Sequence, residues 1–169
     1  MKLFSVCFHI QEYQDLIQGS VDCIIKTLLD NSISFRQIPL NTIHFTAYSF
    51  RDTLSNKSKN EMCKVKKLIY DQFNQLTDPI LKFETFEIIK KNILVAKFSC
   101  TEQVDKFVDR IKLINSTISV APITKTNKTY YPHISLGKIE WKHKQTDLNI
   151  LNNIAFPDIT ITRLNFNTN

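Results

Sequence analysis

A histidine followed two positions later by a hydroxyl residue occurs twice in the chain, as His44-Phe45-Thr46 and as His133-Ile134-Ser135. On an extended strand, residues i and i+2 project to the same face. His44 then shares a face with Thr46, and His133 with Ser135, while Phe45, Ala47, Ile134 and Leu136 point into a core. An unperturbed imidazole titrates at about 6.5. Two such rings on opposite sides of one phosphorus can take a proton from a nucleophile and give one to a leaving oxygen. Two hydroxyls beside them can donate hydrogen bonds to the anionic transition state. That scheme needs no metal and no cofactor. One His-x-Thr/Ser alone is weak, since a lone strand histidine is more often structural. Two copies, both flanked by core residues in one chain, favour a paired site.

The elements that must hold these residues follow from periodicity. Lys2 to Ile10 alternates and predicts a strand. Tyr13, Leu16, Ile17, Val21, Ile24, Ile25 and Leu28 form the stripe of an amphipathic helix over 12–29. Phe35 to Pro39 is a connector or a short edge strand ended by the proline. Leu40 to Phe50 carries the first motif. Met62, Val65, Ile69, Phe73 and Leu76 mark a second helix over 58–76, broken at Asp78-Pro79. Two strands, 81–89 and 93–99, flank a hairpin turn at Lys90-Lys91-Asn92. A third helix follows, with the capping-box spacing Ser99 to Glu102 and a stripe of Val104, Phe107, Val108 and Ile111. A strand over 117–120, a polar loop over 121–129, the second motif strand over 130–141, a short helix over 146–154 and a last strand over 159–166 complete the order. The short hairpin argues for antiparallel pairing and an α+β class.

Composition sets the remaining bounds. The 169 residues make one domain, 1–169, and the 43% apolar content suits a globular core. No apolar run approaches the ~20 residues that span a bilayer. The N-terminal run lacks a cleavage site for a leader. Four cysteines, at 7, 23, 63 and 100, stand in no metal-ligand spacing and predict buried thiols of a reducing compartment. The four histidines pair at neither i, i+3 nor i, i+4, so no metal site is expected. The net charge of +6 favours a polyanionic partner, although 18 of the 22 basic residues are lysine, a bias that also follows from base composition. Only Gly19 and Gly137 are glycines, which excludes a Gly-rich phosphate loop.

The two motifs, with Pro132 before the second and Leu136 after it, resemble the paired His-x-Thr/Ser motifs of the two-histidine (2H) phosphoesterase superfamily. The resemblance is residue-level at the two motif strands and covers the rest in element order and length. It implies a bilobal α+β fold, two antiparallel sheets around a central cleft with helices outside. It implies one catalytic histidine from each lobe, His44 and His133, with Thr46 and Ser135 holding the substrate phosphate. Superfamily substrates are 2′,3′-cyclic phosphates, 2′,5′-linked oligoadenylates and RNA 3′ ends. The expected protein is therefore a phosphodiesterase monomer acting on RNA or a short oligonucleotide, away from membranes, in the cytoplasm or nucleus. Two alternatives stay open: an RNA 3′-end trimming exonuclease of the same superfamily, and a nucleotide-binding module with little turnover.

Further residues carry weaker expectations. Tyr131 shares parity with His133 and Tyr48 with His44, so each is a candidate platform for a base or ribose, and equally a structural aromatic. Lys125 and Lys128 are candidates for flanking phosphates, with solvated loop lysines as the plainer alternative. Arg36 and Arg51 have similar standing. His9, His143 and Trp141 have no assigned role.

Overall fold

The computed structural model of the chain describes residues 4–50, 59–118, 130–140 and 147–168. In chain order the elements are β1 (Phe4–Phe8), α1 (Gln14–Asp30), β2 (Ser34–Gln37), β3 (Phe45–Phe50), α2 (Lys59–Phe73), β4 (Ile80–Ile89), β5 (Ile93–Cys100), α3 (Glu102–Ile118), β6 (His133–Glu140), β7 (Ile159–Thr160) and β8 (Leu164–Thr168). They form two antiparallel sheets, of order β3-β1-β8 and β2-β6-β5-β4-β7. This is the expected α+β architecture, and each motif strand belongs to a different sheet.

The helix stripes pack as the 3.6-residue period requires. Ile17, Val21, Ile24 and Leu28 of α1 are buried, as are Val65, Ile69 and Phe73 of α2. Phe107 of α3 reaches Phe8 of β1 and Phe73 of α2, at 6.0 and 5.8 Å between ring centroids, so α2 and α3 cover the smaller sheet. Helix α1 lies beside β2 and a 3-10 turn at Leu148–Leu151. Its Gln18 accepts a hydrogen bond from Gln37 at 3.4 Å. The two cores merge where Phe45 of β3 meets Phe98 of β5 edge-on, centroids 4.8 Å apart. Burying a phenylalanine stabilises by roughly 1.5–3 kcal/mol, against about 0–1 kcal/mol for an exposed ion pair. A ring contact of this kind therefore contributes more to joining the two sheets than an exposed ion pair does, within a core that runs through both.

Several expectations change in detail. The first motif strand begins at Phe45, because Pro39 opens a 3-10 turn over Leu40–Thr42 in which Thr42 N–H returns to the Pro39 carbonyl at 2.9 Å. Thr117 and Ile118 are not a strand; they end α3. The hydroxyls of Ser116 and Thr117 bond back to the carbonyls of Leu113 and Ile114 at 2.7 and 2.8 Å, within the last turn of the helix. Helix α3 starts at Glu102, so Thr101, and not Ser99, stands next to its first residue. The expected helix over 146–154 is the 3-10 turn, with Asp147 accepting from the Asn149 N–H at 3.0 Å. The last strand divides. Its first half, β7, closes the larger sheet, and its second half, β8, joins the smaller one beside β1. Cys23 and Cys63 are exposed, in contrast to the expected burial, while Cys7 is buried.

The hairpin turn stands where expected, with Lys90 and Lys91 at φ 47° and 75°. Gly137 marks a close approach within β6. A β-carbon there would lie 2.3 Å from the Phe35 ring and 2.6 Å from the Arg36 carbonyl oxygen of neighbouring β2.

Candidate active site

Both motifs sit where a chain enters its sheet. Phe45 and Ile134 are fully buried, and their anchorage presents the residues on either side to the opposite face. His44 and Thr46 are exposed at the start of β3. His133 and Ser135 are half-buried at the start of β6. The strands β3 and β6 touch. Phe98, the ring partner of Phe45, donates its N–H to the carbonyl of Pro132 at 2.9 Å. A short path of packed groups thus joins the residue after His44 to the residue before His133.

The two histidines are held alike. His44 Nδ1 lies 2.8 Å from the carbonyl oxygen of Thr42, and His133 Nδ1 lies 2.9 Å from that of Tyr131. In each case the acceptor is the backbone two residues upstream. A carbonyl only accepts, so Nδ1 carries the proton in both rings. Nε2 then keeps its lone pair in the neutral ring, ready to accept a proton, and becomes a donor once the ring is charged.

Around His133 a charged cluster completes the larger sheet's open face. Lys97 lies directly across the ladder from His133, and Val95 across from Ser135. The Lys97 ammonium is 3.1 Å from Glu87 and 3.6 Å from Glu84. It also stands 5.5 Å above the Tyr131 ring, which itself lies 5.2 Å from the His133 ring. The Tyr131 hydroxyl donates to Glu87. That bond, followed by the Lys97 charge, holds the Glu87 carboxyl below the usual carboxylate range. Burial, with help from Glu87, pushes the Tyr131 phenol up to about 12. The pairing to Glu87 raises Lys97 in turn. Tyr131 is thus placed beside His133, as its parity implies, but its hydroxyl is engaged.

Tyr48 is a correction. Ladder partners share a face, and β1 pairs Cys7 with Thr46 but Val6 with Tyr48, a bulge that leaves Ala47 extra. The bulge turns Tyr48 to the side of Phe8, Phe45 and Phe50. There it packs against Phe50 at 5.0 Å and its hydroxyl accepts from Asn115 of α3 at 3.1 Å. It is half-buried against the core, on the side of the sheet opposite Thr46. Lys125, Lys128, Arg51, Trp141 and His143 lie outside the described residues. Arg36 is exposed on β2, across from Lys138.

The open face of the smaller sheet is polar. Ladder pairing aligns Thr46 and Asn165 with Cys7, and Ser49 and Asn167 with Ser5. Ser5 and Ser49 hydroxyls meet at 3.0 Å, and the Asn167 amide approaches Cys7 Sγ at 3.6 Å. Burial pushes the Cys7 thiol up to about 11, partly offset by its bond with Thr46. Next to this face lies a cavity of about 490 Å³. His44 lines it; Thr46, His133 and Ser135 do not. Its walls include Gln11, Gln14, Asn41, Asn165 and Asn167, none of which the sequence motifs single out. The alternation Leu164-Asn165-Phe166-Asn167 is the one local signal that would have flagged two of them. Among the described residues, no group of three or more His, Cys, Asp or Glu is arranged to hold a metal ion. No described helix is long and apolar enough to cross a membrane.

Two antiparallel sheets, each carrying one motif strand, are the architecture that the motif resemblance implies. Among solved structures the chain is similar to TT0787 of Thermus thermophilus, with TM-score 0.59, 13% identity and coverage of 99% of this chain and 87% of that one. A phosphoesterase matches with TM-score 0.55 and 8% identity over 99% of this chain and 88% of its own. Usb1 of Kluyveromyces marxianus matches with TM-score 0.55 and 10% identity over 98% and 92%. The same Usb1 solved with uridine monophosphate matches with TM-score 0.51 and 12% identity over 89% and 75%. At these identities the likeness is one of fold. No protein-family model matches the sequence, and no curated protein matches it.

Proposed function

We propose that the chain is a metal-independent phosphodiesterase acting on RNA or oligonucleotides with 2′-linked or 2′,3′-cyclic phosphates, with His44 and His133 as its acid–base pair. The observation that carries this is the matched restraint of the two rings, each with Nδ1 on a carbonyl two residues upstream and Nε2 left for chemistry. The fold it shares with a phosphoesterase, and with a Usb1 that has been solved with a nucleotide, supports the same reading.

On a 2′,5′ linkage, one Nε2 takes the proton of the neighbouring 3′-hydroxyl, whose oxygen attacks phosphorus. The other, on a charged ring, gives its proton to the departing 5′-oxygen. On a 2′,3′-cyclic phosphate, one ring activates water and the other protonates the departing ribose oxygen. Thr46 and Ser135 hydroxyls donate to the non-bridging oxygens, whose charge grows in the transition state. After one turnover the two rings have exchanged protonation states, and solvent restores them.

The test is a substrate panel: 2′,5′-oligoadenylate, a nucleoside 2′,3′-cyclic phosphate and an oligouridylate 3′ end. Replacing either histidine by alanine should lower the rate by about 10² to 10⁴ if it acts as a general acid or base. Wild-type turnover in both variants would remove the proposal, and sensitivity to EDTA would remove its metal-free part. Processive shortening of the 3′ end would favour the trimming alternative, and binding without product the non-catalytic one.

A further inference from the structure

We propose that the cavity beside His44 is a nucleobase pocket, which takes the base attached to the ribose whose phosphate His44 serves; this rests on the phosphodiesterase reading. The lining chemistry is the argument. The chain carries +6 overall, yet among the described residues no Lys, Arg, Asp or Glu lines this cavity. A site built for a second phosphate would present cations, as Lys97 does near His133. Instead five of the lining residues have side-chain amides: Gln11, Gln14, Asn41, Asn165 and Asn167. An amide offers a donor and an acceptor side by side without charge. That is the complement of a base edge, where donors and acceptors alternate on a neutral ring.

The amides come from three directions. Gln11 opens the 3-10 turn that precedes α1 and Gln14 opens α1, Asn41 lies in the turn before His44, and Asn165 and Asn167 lie on β8. Between them Ile10, Ile17, Leu40 and Ile43 supply apolar wall for the faces of a flat ring. The volume of about 490 Å³ falls within the roughly 300–1,000 Å³ of small-ligand pockets. His44 stands in the wall, so a base seated there leaves its sugar and phosphate at the imidazole. His9, 3.1 Å from Gln11 Oε1, steadies one of the amides.

The experiment is calorimetric binding of the four nucleoside 5′-monophosphates and of ribose 5-phosphate to the full chain. At least one nucleotide should bind about 5-fold or more tighter than the base-free sugar phosphate, the scale of one paired base edge. Asn165→Ala and Gln14→Ala should each shrink that ratio. Asn165→Asp, which replaces a donor by an acceptor at an exposed position, should change the order of preference among the bases. Equal binding of nucleotides and ribose 5-phosphate, no binding of any nucleotide, or variants that keep the wild-type ratio and order while folded by circular dichroism would each overturn the proposal. Base-dependent binding without cleavage of any panel substrate would remove the catalytic reading and keep the pocket. Cleavage indifferent to the base would do the reverse.

Discussion

Phe45 and Phe98 meet edge-on at 4.8 Å and link a strand of one sheet to a strand of the other inside one continuous core. Each ring is adjacent to a motif: Phe45 follows His44, and Phe98 is hydrogen-bonded to the residue before His133. Their contact therefore stabilises the fold and sets the spacing of the two histidine strands together. Phe98→Ala should cost about 3–5 kcal/mol, the range for truncating a buried phenylalanine. Urea unfolding measures it. A cost below about 1 kcal/mol, at the scale of an exposed ion pair, would show that the junction does not hold the sheets.

The matched Nδ1 contacts of His44 and His133 fix a tautomer that can be observed directly. Both neutral rings should carry the proton on Nδ1, against the preference for Nε2–H of a free imidazole in water. Long-range proton–nitrogen correlation spectra above pH 8 report it through the nitrogen shifts. Spectra with both rings protonated on Nε2 would contradict the geometry, whatever the activity assays show.

Tyr131 couples the acidic cluster to His133. The Tyr131 hydroxyl is the main cause of the lowered Glu87 carboxyl. A folded-state value below the unfolded one, about 4.3 for glutamate, stabilises the fold above that pH and fades as pH falls through the folded value. The Glu87 side chain is partly exposed, so solvent screens the effect and the titration itself is the better readout. Tyr131→Phe should move the Glu87 midpoint upward, toward the ordinary value, as followed by carboxyl carbon shifts. An unchanged midpoint would reassign the shift to Lys97. The phenol is the mirror case: raised to about 12, it favours the fold below about 10 and loses that contribution as pH rises through 12.

The motif pairs are legible in the sequence because histidine, anchor and hydroxyl fall within three residues, and burial of Phe45 and Ile134 is a local property. The helix stripes are legible for the same reason. Tyr48 is not, because alternation carries no mark of a bulge; the register shift opposite Val6 and Cys7 is set by β1, far upstream. The pairing of His133 with Lys97, and hence the cluster with Glu87 and Tyr131, is equally silent, since it depends on which strand lies beside β6. The run from Ile159 to Phe166 reads as one strand only if the change of phase at Thr162-Arg163 is passed over, with apolar residues at 159 and 161 before it and at 164 and 166 after it. Ile161 N–H bonds to the Pro79 carbonyl at 2.8 Å and Arg163 O accepts from His9 N–H at 3.0 Å, so partners distant in sequence decide where the strand divides.

Gly137 gives the sharpest test of how tightly β6 is held. It sits two residues after Ser135, paired with Gln37 of β2 and Leu94 of β5. A methyl group there would meet the Phe35 ring at 2.3 Å and the Arg36 carbonyl at 2.6 Å, closer than van der Waals contact allows. The ring can swing aside, but the carbonyl belongs to the backbone of β2, so the edge strand itself must move. Overpacking of this kind costs about 1–3 kcal/mol. Gly137→Ala should therefore lower the unfolding free energy by that amount and speed hydrogen exchange of the β2 amides, while the amides of β1 and β8 in the other sheet keep their relative protection. Slowed exchange throughout, or a gain in stability from the lost glycine entropy, would mean that β2 is not packed against this position.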